Sequence, residues 1–278
     1  RDGTSRPRPR GRLPPPGGLG SAPAMATWPA TEEELEALQR ELALAADAAP
    51  RWFPPPGRLA VAGAFCASPT GSSGRAGEPM WAAAVLLREG REPGRAVARG
   101  TAPAPYRPGF LALREGALLE RAVRGLDEPP DVLLVNATGR DHPRRAGLAL
   151  HLGAVLGLPT VGITDRPLLA SPAEPGPARG DRVPLLLHGE PVAAAVRTRA
   201  GSRPVVAHAA WRTGGEEAVA VALASSGPAR TPEPLRLARR LARVARAGDE
   251  GRRPPRWRDP PLRTDGSAGG RQPGGGPR

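Results

Sequence analysis

Two uninterrupted apolar runs constrain this chain most: "DVLLV" at 131–135 and "PTVGIT" at 159–164, with a helix-patterned segment at 146–157 between them. Strands that are apolar on every residue are expected to be buried on both faces. A strand, a helix and a second such strand make a βαβ unit, which predicts an α/β domain with helices on both sides of a sheet. The first of these strands ends on Asn136 and is followed by Gly139 and "HPRR" at 142–145, which reads as the entry to the helix. Open α/β sheets keep their chemistry at strand ends of this kind. The side chain delivered there is a neutral amide.

Around this unit the other elements follow from local signals. Thr31 and Glu34 form a capping box, ahead of an apolar face of Leu35, Leu38, Leu42 and Ala45. "RLAVAGAFCAS" and "MWAAAVLLREG" read as two strands joined by a flexible turn, and "RAVARGTAPAPY" as a third strand. A helix is expected over "LALREGALLERAVRGL", with Glu115 near its first turn. "LLLHGEPVAAAVRT" predicts a hairpin, "SRPVVAHAA" a further strand, "EEAVAVALAS" a helix, and "PEPLRLARRLARVAR" a last amphipathic helix.

The 37 Pro and 36 Gly concentrate toward the two ends, which assigns residues 1–24 to a disordered Arg/Pro-rich extension, 25–248 to the folded domain and 249–278 to a disordered Gly/Pro/Arg-rich tail. Met25 stands immediately before the domain start. The formal charge of +13 suits an anionic partner such as nucleic acid, although every basic residue is Arg, as a GC-rich coding bias would also produce. With Cys66 as the only cysteine there is no internal disulfide framework and no multi-Cys zinc site, and Cys66 itself reads as a core thiol. No apolar run approaches the roughly 18 residues of a membrane span. These features lead to the expectation of a cytoplasmic monomer.

Five blocks in order resemble the endonuclease V family: "ATEEELEALQREL" at the start, "PYRPGFLALREG" at 105–116, "PDVLLVNATGRDHPRRAGLALHLG" at 130–153, "LPTVGITDRPL" at 158–168 and "TPEPLRLARRLA" at 231–242. The resemblance implies a ribonuclease H-like fold, a mixed central sheet with helices on both faces. It also implies recognition of deaminated adenine, inosine, in DNA or RNA, and hydrolysis of a phosphodiester on its 3′ side. The family chemistry is metal-assisted, with Mg²⁺ (or Mn²⁺) held by carboxylates at strand tips, because a hard cation takes oxygen ligands and lowers the pKa of its water.

Residue by residue, the resemblance makes Tyr106, with Pro105 and Pro108, the aromatic wedge that seats an extruded base. Glu115 becomes the catalytic glutamate and His142 a further catalytic residue, while Gly139 and Arg144 belong to a substrate-binding loop. Asn136, Glu115 and Asp165 are the remaining candidates for metal ligands. The departures are concentrated in the same places. Phe65 stands where the family has its first-strand aspartate, Asn136 where it has the second, Asp165 where it has a lysine, and Trp211 where a histidine is expected, with His208 a possible substitute.

Each residue also has a plainer reading. Glu115 could be an exposed carboxylate favoured by the helix dipole, Asp165 a solvated strand-end residue, and Arg144 with Arg145 either a phosphate fork or a solvated face. Two functions follow: a divergent endonuclease V with weakened catalysis, and a non-catalytic protein binding single-stranded or lesion-containing nucleic acid on the same scaffold.

Overall fold

The structure, a computed structural model, describes residues 28–253 apart from 56, 58 and 172. The expectations for residues 1–24 and 254–278, and for the domain start at Met25, lie outside the described residues.

The described chain runs α1 (Glu32–Ala48), β1 (Ala60–Ala67), β2 (Pro79–Arg88), β3 (Arg91–Thr101), α2 (Leu111–Arg124), β4 (Val132–Val135), α3 (Leu148–Leu156), β5 (Thr160–Thr164), β6 (Arg182–Leu187), β7 (Glu190–Val196), β8 (Val205–Ala209), α4 (Gly215–Ala224) and α5 (Glu233–Asp249). Eight strands form one sheet in the order β3-β2-β1-β4-β5-β8-β7-β6. The centre, β1-β4-β5, is parallel, and the flanking pairs are antiparallel. The expected mixed sheet is therefore present.

Strand alternation sends side chains into two separate cores. On β4, Leu133 and Val135 pack with α1, α2 and α3, whereas Val132 and Leu134 pack with α4 and the start of α5. All four are buried, which is why the run carries no polar residue. Each fully buried Leu contributes roughly 1.5–3 kcal/mol relative to exposure. On β1 the even positions Ala60, Ala62, Ala64 and Cys66 face the first core, while Val61 and Phe65 face the second layer. An added Cβ at Gly63 would collide with the backbone of Pro234 and Leu235. Gly63 is thus where α5 crosses directly against β1, and the contact fixes what α5 presents beyond it.

Several boundaries differ from the sequence reading. The α1 capping box forms as expected, but the buried face is Leu35, Gln39, Leu42, Ala43 and Ala46, with polar Gln39 included. The third strand begins at Arg91 and stops at Thr101, before the "PAPY" stretch. "HPRR" does not enter a helix: Arg145 has φ 56°, in the left-handed region, and α3 starts only after Gly147. Glu115 is the fifth residue of α2 rather than part of its first turn, so a helix-dipole explanation for it fails.

Candidate functional site

The parallel register places Ala64 beside Val135, so Phe65 and Asn136 emerge as neighbours at the tips of β1 and β4. Both point toward α5. There the Arg239 guanidinium donates from Nη2 to Asn136 Oδ1 at 3.1 Å and lies over the Phe65 ring, 5.1 Å from its centroid. Arg243, one turn further along α5, stands 5.9 Å from the same ring. Asp165, just past β5, is exposed and accepts from Arg230 Nη1 at 2.7 Å. Arg230 is itself anchored by the carbonyls of Arg203 and Pro204.

Sequence reasoning missed Arg239. The signal lay in the helical period of α5, where Leu235, Ala238 and Ala242 are buried and Arg239 and Arg246 fall beside that stripe. A cation next to the apolar face of an amphipathic helix meets whatever the sheet presents.

A second group of residues gathers around the loop before α2. Tyr106 is 58% exposed, and Pro105 and Pro108 beside it are also exposed. The loop beneath is tightly held. Tyr106 N donates to Gly74 O at 2.6 Å. Buried Arg114 donates to the carbonyls of Gly74, Arg75 and Ala104 and, at 2.7 Å, to Glu78. On the other side, His142 donates from Nε2 to Gly109 O at 3.1 Å, while its Nδ1 accepts the Arg144 backbone N–H at 3.2 Å. Burial, reinforced by Arg144, lowers the His142 pKa to about 4, so the ring is neutral near pH 7.

Arg144 spends its donors inside the protein, on Gln39 Oε1, Glu36 Oε1 and Gly109 O, with its guanidinium 4.7 Å from the Phe110 centroid. Arg145 pairs with Glu190. Gly139 lies so close to β8 that a Cβ would collide with Ala209 O, and the next residue, Arg140, donates to that same carbonyl. The Gly109 carbonyl, which receives His142 and Arg144, ties the loop that carries Tyr106 to the segment that follows Gly139.

Glu115 is carried by α2. It faces the first core, where it interacts with Arg114 and raises the pKa of Cys66. Burial pushes Glu115 up to about 8, which leaves it mostly protonated near neutral pH. Desolvation raises the Cys66 thiol well above its ordinary value, in keeping with a core thiol.

Trp211, at the position where the family has a histidine, and His208, its possible substitute, both lie along β5. Because β8 runs antiparallel to β5, Trp211 meets Thr160 at the start of β5, and the strand separates it from Asp165 by about 13 Å or more. His208 is buried mid-sheet opposite Gly162 and pairs with Thr164 Oγ1 at 2.8 Å.

The model of the family described as Endonuclease V matches residues 56–240, a span that holds Phe65, Tyr106, Glu115, Asn136, His142, Asp165 and Arg239. The chain belongs to the endonuclease V family. It is 46% identical to an endonuclease V of Methanopyrus kandleri over 177 residues, 63% of this chain and 76% of that one. Among solved structures, an endonuclease V from Streptomyces avermitilis shares 37% identity at a TM-score of 0.69, covering 81% of this chain and 96% of that chain. An endonuclease V of Ciona intestinalis, in complex with a 24mer DNA containing an inosine followed by a ribo-adenosine, shares the fold at 21% identity and TM-score 0.62, over 76% of this chain and 95% of that one. The fold is ribonuclease H-like.

Endonuclease V proteins are nucleases and generally metal-dependent. The side chains of this chain do not fit a divalent cation at the strand tips. Phe65 has no ligand atom, the Asn136 oxygen already faces a guanidinium, Asp165 is held by Arg230, and Glu115 favours its protonated form. Among the described residues, no three His, Cys, Asp or Glu side chains group so as to hold a metal ion. Among the same residues, no helix is long and apolar enough to cross a membrane.

Proposed function

We propose that this endonuclease V-like protein recognises inosine-containing DNA or RNA strands, and that phosphodiester hydrolysis, the reaction of its family, is strongly weakened in it. The observation that carries this reading is the pairing of Arg239 with Asn136 beside Phe65. A metal-assisted nuclease needs anionic ligands where these three residues stand. Binding of Mg²⁺ or Mn²⁺ is correspondingly weak, and Asp165, neutralised by Arg230, does not restore it.

Recognition is supported by the part of the molecule that departs least from the family pattern. Tyr106 presents an exposed ring between two prolines on a loop fixed from both sides, and stacking of a base on such a ring contributes roughly 1–3 kcal/mol. His142, Arg144 and Gly139 act in this reading by holding that loop, since their polar groups are engaged within the protein. The Arg239–Asn136 contact favours the non-catalytic form of the reading over a slow nuclease.

The test is cleavage of an end-labelled single-stranded oligonucleotide with one inosine, in Mg²⁺ or Mn²⁺, beside a Glu115→Ala control. An inosine-dependent mobility shift with no product is the expected result. A cut 3′ to the inosine that disappears in the control would show a working enzyme and overturn the weakened-catalysis reading.

A further inference from the structure

The positions that would hold a metal contain an organised cation. Arg203, Arg230 and Arg239 act on the Asp165 carboxylate, and Arg243 neighbours Arg239. Of the other charged groups on α5 nearby, Glu233 is taken up by Arg236. Arg239 Nε is buried with no hydrogen-bond partner, although Nη2 of the same group is fixed on Asn136. Burial and the neighbouring Arg243 both oppose the Arg239 charge. Arginine does not escape by losing its proton, so the cluster is short of negative charge.

We infer that Arg239, with Arg243, supplies the cation of this site itself and clamps a nucleic-acid phosphodiester without any divalent metal. The inference rests on the reading of the chain as a nucleic-acid binder. Guanidinium groups suit the role because two N–H donors match two phosphate oxygens, and the charge-assisted bonds are strongest where water is thinned. The Phe65 ring beneath Arg239 and Arg243 holds both side chains against the strand tips, by cation–π contact, where an aspartate would have drawn a metal instead. Asn136 completes the arrangement, since a neutral amide oxygen orients Arg239 without cancelling the charge meant for phosphate. Contacts to phosphate fix the register of a strand and carry no base information. The clamp therefore sets affinity, and the Tyr106 loop sets the preference for inosine.

The experiment is fluorescence anisotropy of the full chain with labelled single-stranded oligonucleotides, one carrying inosine and one adenosine at the same position, in EDTA and in Mg²⁺. Equal affinity in both buffers is expected. Arg239→Gln should weaken binding to both oligonucleotides about tenfold and reduce the salt slope by about one, leaving the inosine-to-adenosine ratio unchanged. Arg243→Gln, one helical turn further on, reads the same slope should Arg239→Gln fail to fold by thermal melting. Binding that vanishes in EDTA, or folded variants that bind like the parent, would overturn the clamp. If the variants weaken binding while the parent shows no inosine preference, the clamp stands and the inosine reading falls. If the preference persists and the variants are silent, the reverse holds. A parent that binds neither oligonucleotide in either buffer overturns both.

Discussion

From inside the protein, Arg114 reaches Glu78 at 2.7 Å and at the same time holds three backbone carbonyls from two loops. Those loops are the β1–β2 connection and the segment that presents Tyr106. One guanidinium thus turns an exposed aromatic residue into a fixed feature, and Arg114 is the positioning residue of the Tyr106 loop. Replacing it with Met should cost about 3 kcal/mol in urea unfolding, because buried carbonyls lose a charged donor. Inosine preference should drop along with stability. The conservative variant Arg114→Lys should recover part of the stability and little of the preference, since one ammonium cannot span the same acceptors.

His142 gives the loop system a pH dependence whose sign follows from its burial. The folded-state pKa is about 4, below the ordinary 6.5. Stability from keeping the ring neutral is therefore fully present above pH 6.5 and is lost as pH falls toward 4, because the unfolded chain takes up the proton first. The contribution is on the order of 3 kcal/mol. Comparing parent and His142→Gln by thermal melting between these limits should show the parent losing its advantage on acidification; parallel curves would remove His142 from the account.

Restoring carboxylates at the strand tips should not by itself restore a metal site. In Phe65→Asp/Asn136→Asp the new side chains meet Arg239 and form ion pairs with it, which satisfies the charge a cation would need. Titration calorimetry with Mn²⁺ should show no binding beyond the parent for the double variant. Binding should appear only when Arg239→Asn is added. Tight Mn²⁺ binding by the double variant would mean that Arg239 swings away freely.

Gly63→Ala should be far more damaging than an Ala-for-Gly change on an exposed strand. The new methyl meets the backbone of Pro234 and Leu235, which cannot move without lifting α5 from the sheet. A loss of roughly 1–3 kcal/mol is expected from such overpacking. Metal-free nucleic-acid binding should fall as well, since α5 carries Arg239 and Arg243 over Phe65.

The βαβ centre, the Thr31 capping box and the hairpins were legible because each rests on contacts within a few residues or on a strict apolar period. The "PYRPGF" and "HPRR" motifs were each legible in the sequence, but not the reason they are joined in the fold. That reason is the Gly109 carbonyl, which receives both His142 and Arg144 across more than thirty residues of chain. Helix boundaries shifted where a single backbone angle decided them, as at Arg145.

What the sequence determined alone was the set of side chains and their periodic placement: an apolar sheet centre, Phe65 and Asn136 at two strand ends, and a basic amphipathic last helix. Only the tertiary structure decided which charge meets which strand tip. Parallel pairing of β1 with β4 set Phe65 beside Asn136, and the close crossing at Gly63 then laid Arg239 over both. Periodicity tells which face of an element is apolar, whereas electrostatic partners separated by a hundred residues are chosen by packing. For that reason the amide at position 136, read from sequence as a remaining candidate metal ligand, is in the folded protein the acceptor for an arginine.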